Sequence, residues 1–134
     1  MVSNSFSKKT SSTILLINPW IYDFAAYDFR VKPLGLLSIA SVLRKNGYEI
    51  HLIDCLDRKN IKGKDSKELT RTPRRKYGAG HFFKTHIEKP SVLREIPRNY
   101  SRYGITPELF EQQLQKVPKP DVVLVTSMMT YWYL

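Results

Sequence analysis

The sequence predicts a parallel, doubly wound α/β domain. Three features carry that prediction: short, nearly continuous Ile/Leu/Val runs, a helix-shaped segment between the first two of them, and a second helix start ahead of the third. The runs are Thr13 to Asn18, Glu49 to Asp54 and Asp121 to Thr126. A strand covered by helices on both faces has no solvent face that would require alternating polar residues, so unbroken apolar runs point to a parallel sheet.

The first helix is expected from about Pro33 to Asn46. Pro33 suits the first helical position, Arg44 and Lys45 complement the dipole in the last turn, and Gly47 is a natural stop just beyond it. Leu34, Leu37, Ala40, Ser41, Val42 and Leu43 give this helix a broad apolar face. The second helix is expected to open at Thr106, an N-cap followed by Pro107 and Glu108, and to end near Val117 and Pro118. Right-handed crossovers then place the first strand in the middle, in the order second, first, third. The ligand crevice of such a sheet lies beyond the carboxyl ends of its strands. Asn18 to Lys32, Asp54 to Leu56 and Thr126 to Tyr133 reach that edge.

With 134 residues the chain is long enough for one domain, expected over 13–134 behind an unstructured Ser-, Thr- and Lys-rich tail at 1–12. Its longest apolar runs, Ile14 to Ile17 and Val122 to Val125, are far too short to span a bilayer, and the tail has no apolar segment resembling a secretory signal. The single cysteine, Cys55, excludes an internal disulfide and an all-cysteine metal site, and the simplest setting is the reducing cytoplasm. The net charge is +10 and is unevenly placed. Arg58 to Lys76 holds nine basic and two acidic residues, and the stretch from Arg58 to Arg102 accounts for the whole excess. This long insert, about 57–105, shows no sustained periodicity, yet Tyr77, Phe82, Phe83, Ile87, Val92, Leu93, Ile96, Tyr100 and Tyr103 recur through it. It is expected to form an ordered, irregular excursion over the sheet edge, with Arg58 to Lys76 its most mobile part.

Several familiar motifs are excluded by context. Gly78-Ala79-Gly80 resembles the start of a dinucleotide fingerprint, but no strand precedes it and no third glycine follows at Phe83. The loop after the first strand contains no glycine before Gly35, and no triphosphate-cradling loop is present. His81, His86 and Cys55 match no common metal-site spacing, so hydrogen-bonding or surface histidines are the simpler reading, and His51 lies within the second strand. Asp54 ends that strand, where a carboxylate either binds a ligand hydroxyl or caps the following turn. Asn18-Pro19-Trp20 and Ser127-Met128-Met129-Thr130-Tyr131-Trp132 leave the other strands toward the crevice. Their small polar groups and flat apolar side chains would line a pocket for a large planar ligand, or serve as core for further elements.

The segments Ile14-Leu-Leu-Ile-Asn-Pro, Lys32-Pro-Leu-Gly-Leu-Leu through Leu43-Arg-Lys-Asn-Gly-Tyr, and Ile53-Asp-Cys are similar to the N-terminal cobalamin-binding domain of radical S-adenosylmethionine proteins. The similarity continues through Lys76-Tyr-Gly-Ala-Gly-His, Ile96-Pro-Arg-Asn-Tyr-Ser-Arg-Tyr-Gly-Ile and Pro120-Asp-Val-Val-Leu-Val-Thr-Ser-Met-Met-Thr-Tyr-Trp-Tyr. The resemblance implies a Rossmann-like, flavodoxin-like module that holds cobalamin over the carboxyl edge of its sheet. The ligand would lie against Asn18, Pro19, Trp20, Leu34, Gly35, Asp54, Ser127 and Met128. The resemblance also implies a downstream barrel with a [4Fe–4S] cluster and S-adenosylmethionine. The chain departs from that pattern twice. Asp23-Phe-Ala and Asp28-Phe-Arg lack the histidine of the usual Asp-x-His-x-x-Gly, and no Cys-x3-Cys-x2-Cys motif is present.

The chain is therefore expected to be the opening part of such a domain, not catalytic alone, with a second copy or the rest of its parent lying against the third strand. A rival of another class is a basic nucleic-acid-binding module built on Arg58 to Lys76. The aromatic residues follow that run and are not interleaved with it, which weakens any case for base stacking.

Overall fold

The computed structural model describes residues 12–29, 31–57, 77 and 79–126. Its centre is a three-stranded parallel sheet of β1 (Thr13–Asn18), β4 (Glu49–Asp54) and β8 (Val122–Val125), in the order β4-β1-β8. Thr13 pairs with Glu49 through to Asn18 with Asp54, and Ile14 with Val122 through to Ile17 with Val125. This is the order expected from the crossover rule, with strand limits within a residue of those read from the apolar runs.

Paired residues of parallel strands share a face, so the register sorts the core into two layers. Ile14 and Leu16 lie beneath α1 (Leu34–Lys45), packed with its Leu36, Ala40 and Leu43 and with Ile50 and Leu124. Leu15 and Ile53 lie on the opposite face with Cys55, Ile105 and Leu109, backed by Phe110 and Val117. That layer holds α2 (Pro107–Leu114) against the sheet. The residues of α1 packed toward the sheet, buried Leu36 with half-buried Ala40 and Leu43, are spaced i, i+4, i+7, and Leu34 and Val42 are exposed. The apolar stripe read from the sequence is therefore narrower than expected and centred on Leu36.

The stop of α1 and the start of α2 follow their sequence signals, whereas α2 ends at Leu114, three residues short of the expected Val117. After α1 the chain turns through Gly47 at φ +84°. Gly47 N donates to Arg44 O at 3.1 Å and Tyr48 N to Leu43 O at 3.2 Å, satisfying two terminal carbonyls. At the start of α2, Thr106 Oγ1 accepts from Leu109 N at 3.3 Å, with Pro107 in the first position.

The insert is more regular than its sequence suggested. It contributes β5 (Gly80–His81), β6 (Lys84–His86), a 3-10 turn at Ser91–Leu93 and β7 (Ser101–Tyr103). These pair with two short strands from the loop after β1: β2 (Ile21–Asp23) and β3 (Tyr27–Asp28). β2, β7 and β6 form one antiparallel sheet, and β3 pairs with β5. Leu56, Phe82 and Tyr103 make a small core there with Ile21 and Ala26. A seam ties this layer to the residue after β4, where Ile105 N donates to Cys55 O at 2.8 Å, and to the loop after β1, where Trp20 Nε1 donates to Ile105 O at 2.6 Å; within the insert Gly104 N donates to Phe83 O at 2.9 Å. Gly104 has φ +125°, and a Cβ there would run into Cys55 O, so only glycine fits.

The third strand departs from the expectation of burial on both faces. Val122, Val123 and Val125 are 46%, 48% and 64% exposed. Among the described residues β8 is an edge strand, and neither helix reaches across β1 to cover it. Among the described residues no helix is long and apolar enough to cross a membrane. The basic run Arg58 to Lys76 and the segment Ser127 to Leu134 lie outside the described residues.

Candidate functional site at the carboxyl edge of the sheet

The carboxyl edge gathers polar groups from three segments. Asn18, at the end of β1, is buried, and its Nδ2 donates to Asp54 Oδ1 at 2.7 Å. The same oxygen accepts from Leu56 N at 3.1 Å, the bond of a carboxylate capping the turn that follows β4. Lys32, from the loop before α1, places Nζ 3.2 Å from Asp54 Oδ2 and 3.7 Å from Asp57 Oδ1. Asp54 thus pins the ends of two strands and the loop before α1 together, with a donor on each carboxylate oxygen. Beside it is a depression of about 550 Å3 lined by Lys32, Pro33, Leu37, Leu52, Asp54, Asp57 and Gln113.

The loop from β1 to α1 adds an apolar lip. Phe29, Val31 and Leu34 are 72%, 59% and 71% exposed. The Tyr27 ring lies 5.0 Å from that of Phe29 and 5.1 Å from the imidazole of His81. A large exposed apolar group costs free energy in water, so three within six residues mark a surface suited to covering.

Of the residues expected at the site, Asn18 and Asp54 are hydrogen-bonded to one another, and Pro19 lies half-buried between Asn18 and Trp20. Leu34 and Gly35 are exposed at the start of α1, and the space around Gly35 is open. Trp20 is engaged in packing, its ring 5.0 Å from Phe110 and its N–H bound to the seam. Ser127 and Met128 lie outside the described residues. The sequence reading did not single out Lys32, Asp57, Tyr27, Phe29 or His81 for the site. The apolar residues at Phe29 and Val31, in a segment with no strand or helix pattern, were the available signal.

Nucleophilic chemistry finds little support here. Burial, with Asp54 adding to it, pushes the Cys55 thiol up to about 12, so it stays protonated at neutral pH. Ser101 Oγ lies 3.1 Å from His86 Nδ1, but Ser101 is buried. The register sets Ser101 between Asp23 and His86, whereas a relay needs the histidine in the middle. Among the described residues no three of His, Cys, Asp and Glu converge to hold a metal ion. The carboxyl edge thus combines a polar cluster, a depression and a group of exposed apolar side chains. Comparison with known proteins gives no name to it, since no family model, no curated protein and no solved structure matches the chain.

Proposed function

We propose that the chain is the N-terminal part of a cobalamin-binding-like domain of a radical S-adenosylmethionine enzyme, of Rossmann-like, flavodoxin-like topology. Its own task is binding and not catalysis. The observation that carries this reading is the lip of Phe29, Val31 and Leu34 beside the Asn18–Asp54–Lys32 cluster, at the carboxyl edge where the chain winds away from β1 in both directions. A corrin has a broad apolar face and a rim of amides. The lip suits the face, and Lys32, Asp54 and Asp57 suit the rim.

When bound, cobalamin would supply cobalt-centred chemistry to a reaction carried out elsewhere. The residues of this chain would bind the macrocycle, orient its rim and exclude water from one face. Cys55 is buried at the seam and is the only cysteine, so this chain could not itself hold an iron–sulfur cluster, which on this reading would be supplied elsewhere in the parent together with S-adenosylmethionine.

Titrating the full chain with hydroxocobalamin, followed by absorbance, tests the reading. Saturable one-to-one binding is expected, weakened at least tenfold by Phe29→Asp, which puts a charge on the lip. No spectral change from the folded chain would overturn it.

A further inference from the structure

We infer that the small antiparallel sheet binds single-stranded nucleic acid, with Tyr22 stacking on a base and Arg98 and Arg102 holding the flanking phosphates. These residues are not those of the Phe29–Leu34 lip, so the two surfaces can be tested separately.

The constellation is made by the topology. Trp20, Tyr22 and Phe24 alternate along the chain through β2, and the insert sets an arginine over the first and the third. Arg102 Cζ lies 5.8 Å from the centre of the Trp20 ring, and Arg98 Cζ 5.8 Å from that of Phe24. Both fall within the about 6 Å over which a ring attracts a cation. Arg102 is also the register partner of Tyr22. The two bracing rings are fixed from behind. Trp20 packs on Phe110 at 5.0 Å, and Phe24 meets the edge of buried Tyr100 at 5.3 Å. Tyr100 OH in turn donates to Tyr22 O at 3.3 Å. Tyr22 is different: it is 43% exposed, and among the described residues no aromatic ring lies against it.

A guanidinium laid flat on a ring keeps its N–H edge for an anion. Among the described residues neither Arg98 nor Arg102 is ion-paired with a carboxylate. Glu108, exposed at the start of α2, has its carboxyl held below the usual range by its own backbone N–H and Thr106 and, more weakly, by Arg102. It tempers the positive field of this face. A bare aromatic ring between two braced cations fits planar bases joined by phosphates, and it does so for any base, since each has a π face. An acidic peptide would satisfy the arginines and leave Tyr22 with nothing to stack on. A duplex keeps its bases stacked on one another. In the sequence the rings and the cations are far apart; pairing β2 with β7 interleaves them.

The probe is a fluorescein-labelled oligouridine of about eight nucleotides, within the usual site size, added to the full chain and followed by anisotropy. Tyr22→Ala should weaken binding about 5–150-fold, the worth of one stacked base, and Tyr22→Phe should bind like the wild type. An abasic oligomer of the same length should not distinguish Tyr22→Ala from the wild type. Arg98→Gln and Arg102→Gln should each lower the slope of log affinity against log salt by about 0.7, and Glu108→Gln should tighten binding. Oligothymidine separates the two sources of such a strand: either result keeps the site, and tighter binding of RNA marks a contact to the 2′-hydroxyl. The basic run is the control. Replacing Arg71, Arg74, Arg75 and Lys76 by Ala should weaken the normal and abasic oligomers alike and leave the Tyr22→Ala effect unchanged. Binding unaltered in Tyr22→Ala, or weakened equally for the abasic oligomer, would overturn the inference. Tighter binding of duplex, or no binding at low salt, would overturn it as well.

Discussion

At the scale of single residues, the seam between the insert and β4 rests on groups that tolerate little change. Gly104 combines φ +125° with a Cβ position blocked by Cys55 O, a backbone atom that cannot step aside cheaply. Gly104→Ala should cost about 3 kcal/mol, read by urea unfolding, because strain in that region and a steric clash add together. Cys55 reports on the same seam. Its thiol is raised from 9.0 to about 12, so the fold favours the neutral form. The stability this contributes is complete below pH 9 and is lost as the pH rises from 9 toward 12, where the unfolded chain ionises and the folded one does not. A thiol reagent at pH 8 should modify Cys55 slowly in the native chain and rapidly in denaturant; equal rates would show that the seam is open. Asp54 could be singled out from its place at a strand end, and its alternative role as a turn cap is visible in the bond from Leu56 N. Lys32 could not, because its two partners come from segments more than twenty residues away in sequence.

At the scale of elements, local pattern was informative wherever an element is long enough to bury a continuous face. β1, β4, β8 and both helices fall where apolar runs, caps and stop signals put them. The short strands β2, β3, β5, β6 and β7 have two or three residues each, too few for any periodicity, and their pairing is decided by partners far along the chain. The face of α1 was read too broadly for a related reason: periodicity shows which residues are apolar, while the strand register decides which of them are covered. This can be tested within one helix. Leu36→Ala should cost about 2–5 kcal/mol and Leu34→Ala less than about 0.5, since one is buried and the other exposed. Comparable losses at the two positions would contradict the orientation of α1.

At the scale of the whole molecule, two apolar surfaces are exposed among the described residues: the lip at the carboxyl edge and the edge strand β8. β8 presents an uncharged run of three valines and a leucine with a side that no described residue pairs, a pattern that invites pairing with another strand. The net charge of +10 opposes association of identical chains, and salt screens that repulsion. Sedimentation should therefore show self-association that grows with ionic strength and is suppressed by Val123→Lys. A monomer at all salt concentrations would show that β8 is not sticky. In the described residues, ten Lys and Arg are matched by ten Asp and Glu, so the basic character that suggested a nucleic-acid partner lies outside them.

The central claim is that the carboxyl edge is a ligand-binding surface, and mapping the backbone amides of the full chain with and without hydroxocobalamin tests it most directly. The account predicts shifts confined to the loop from Asn18 to Leu34, the turn from Asp54 to Asp57 and the strand carrying His81. Shifts spread over α2 and β8, or none at saturating ligand, would contradict it.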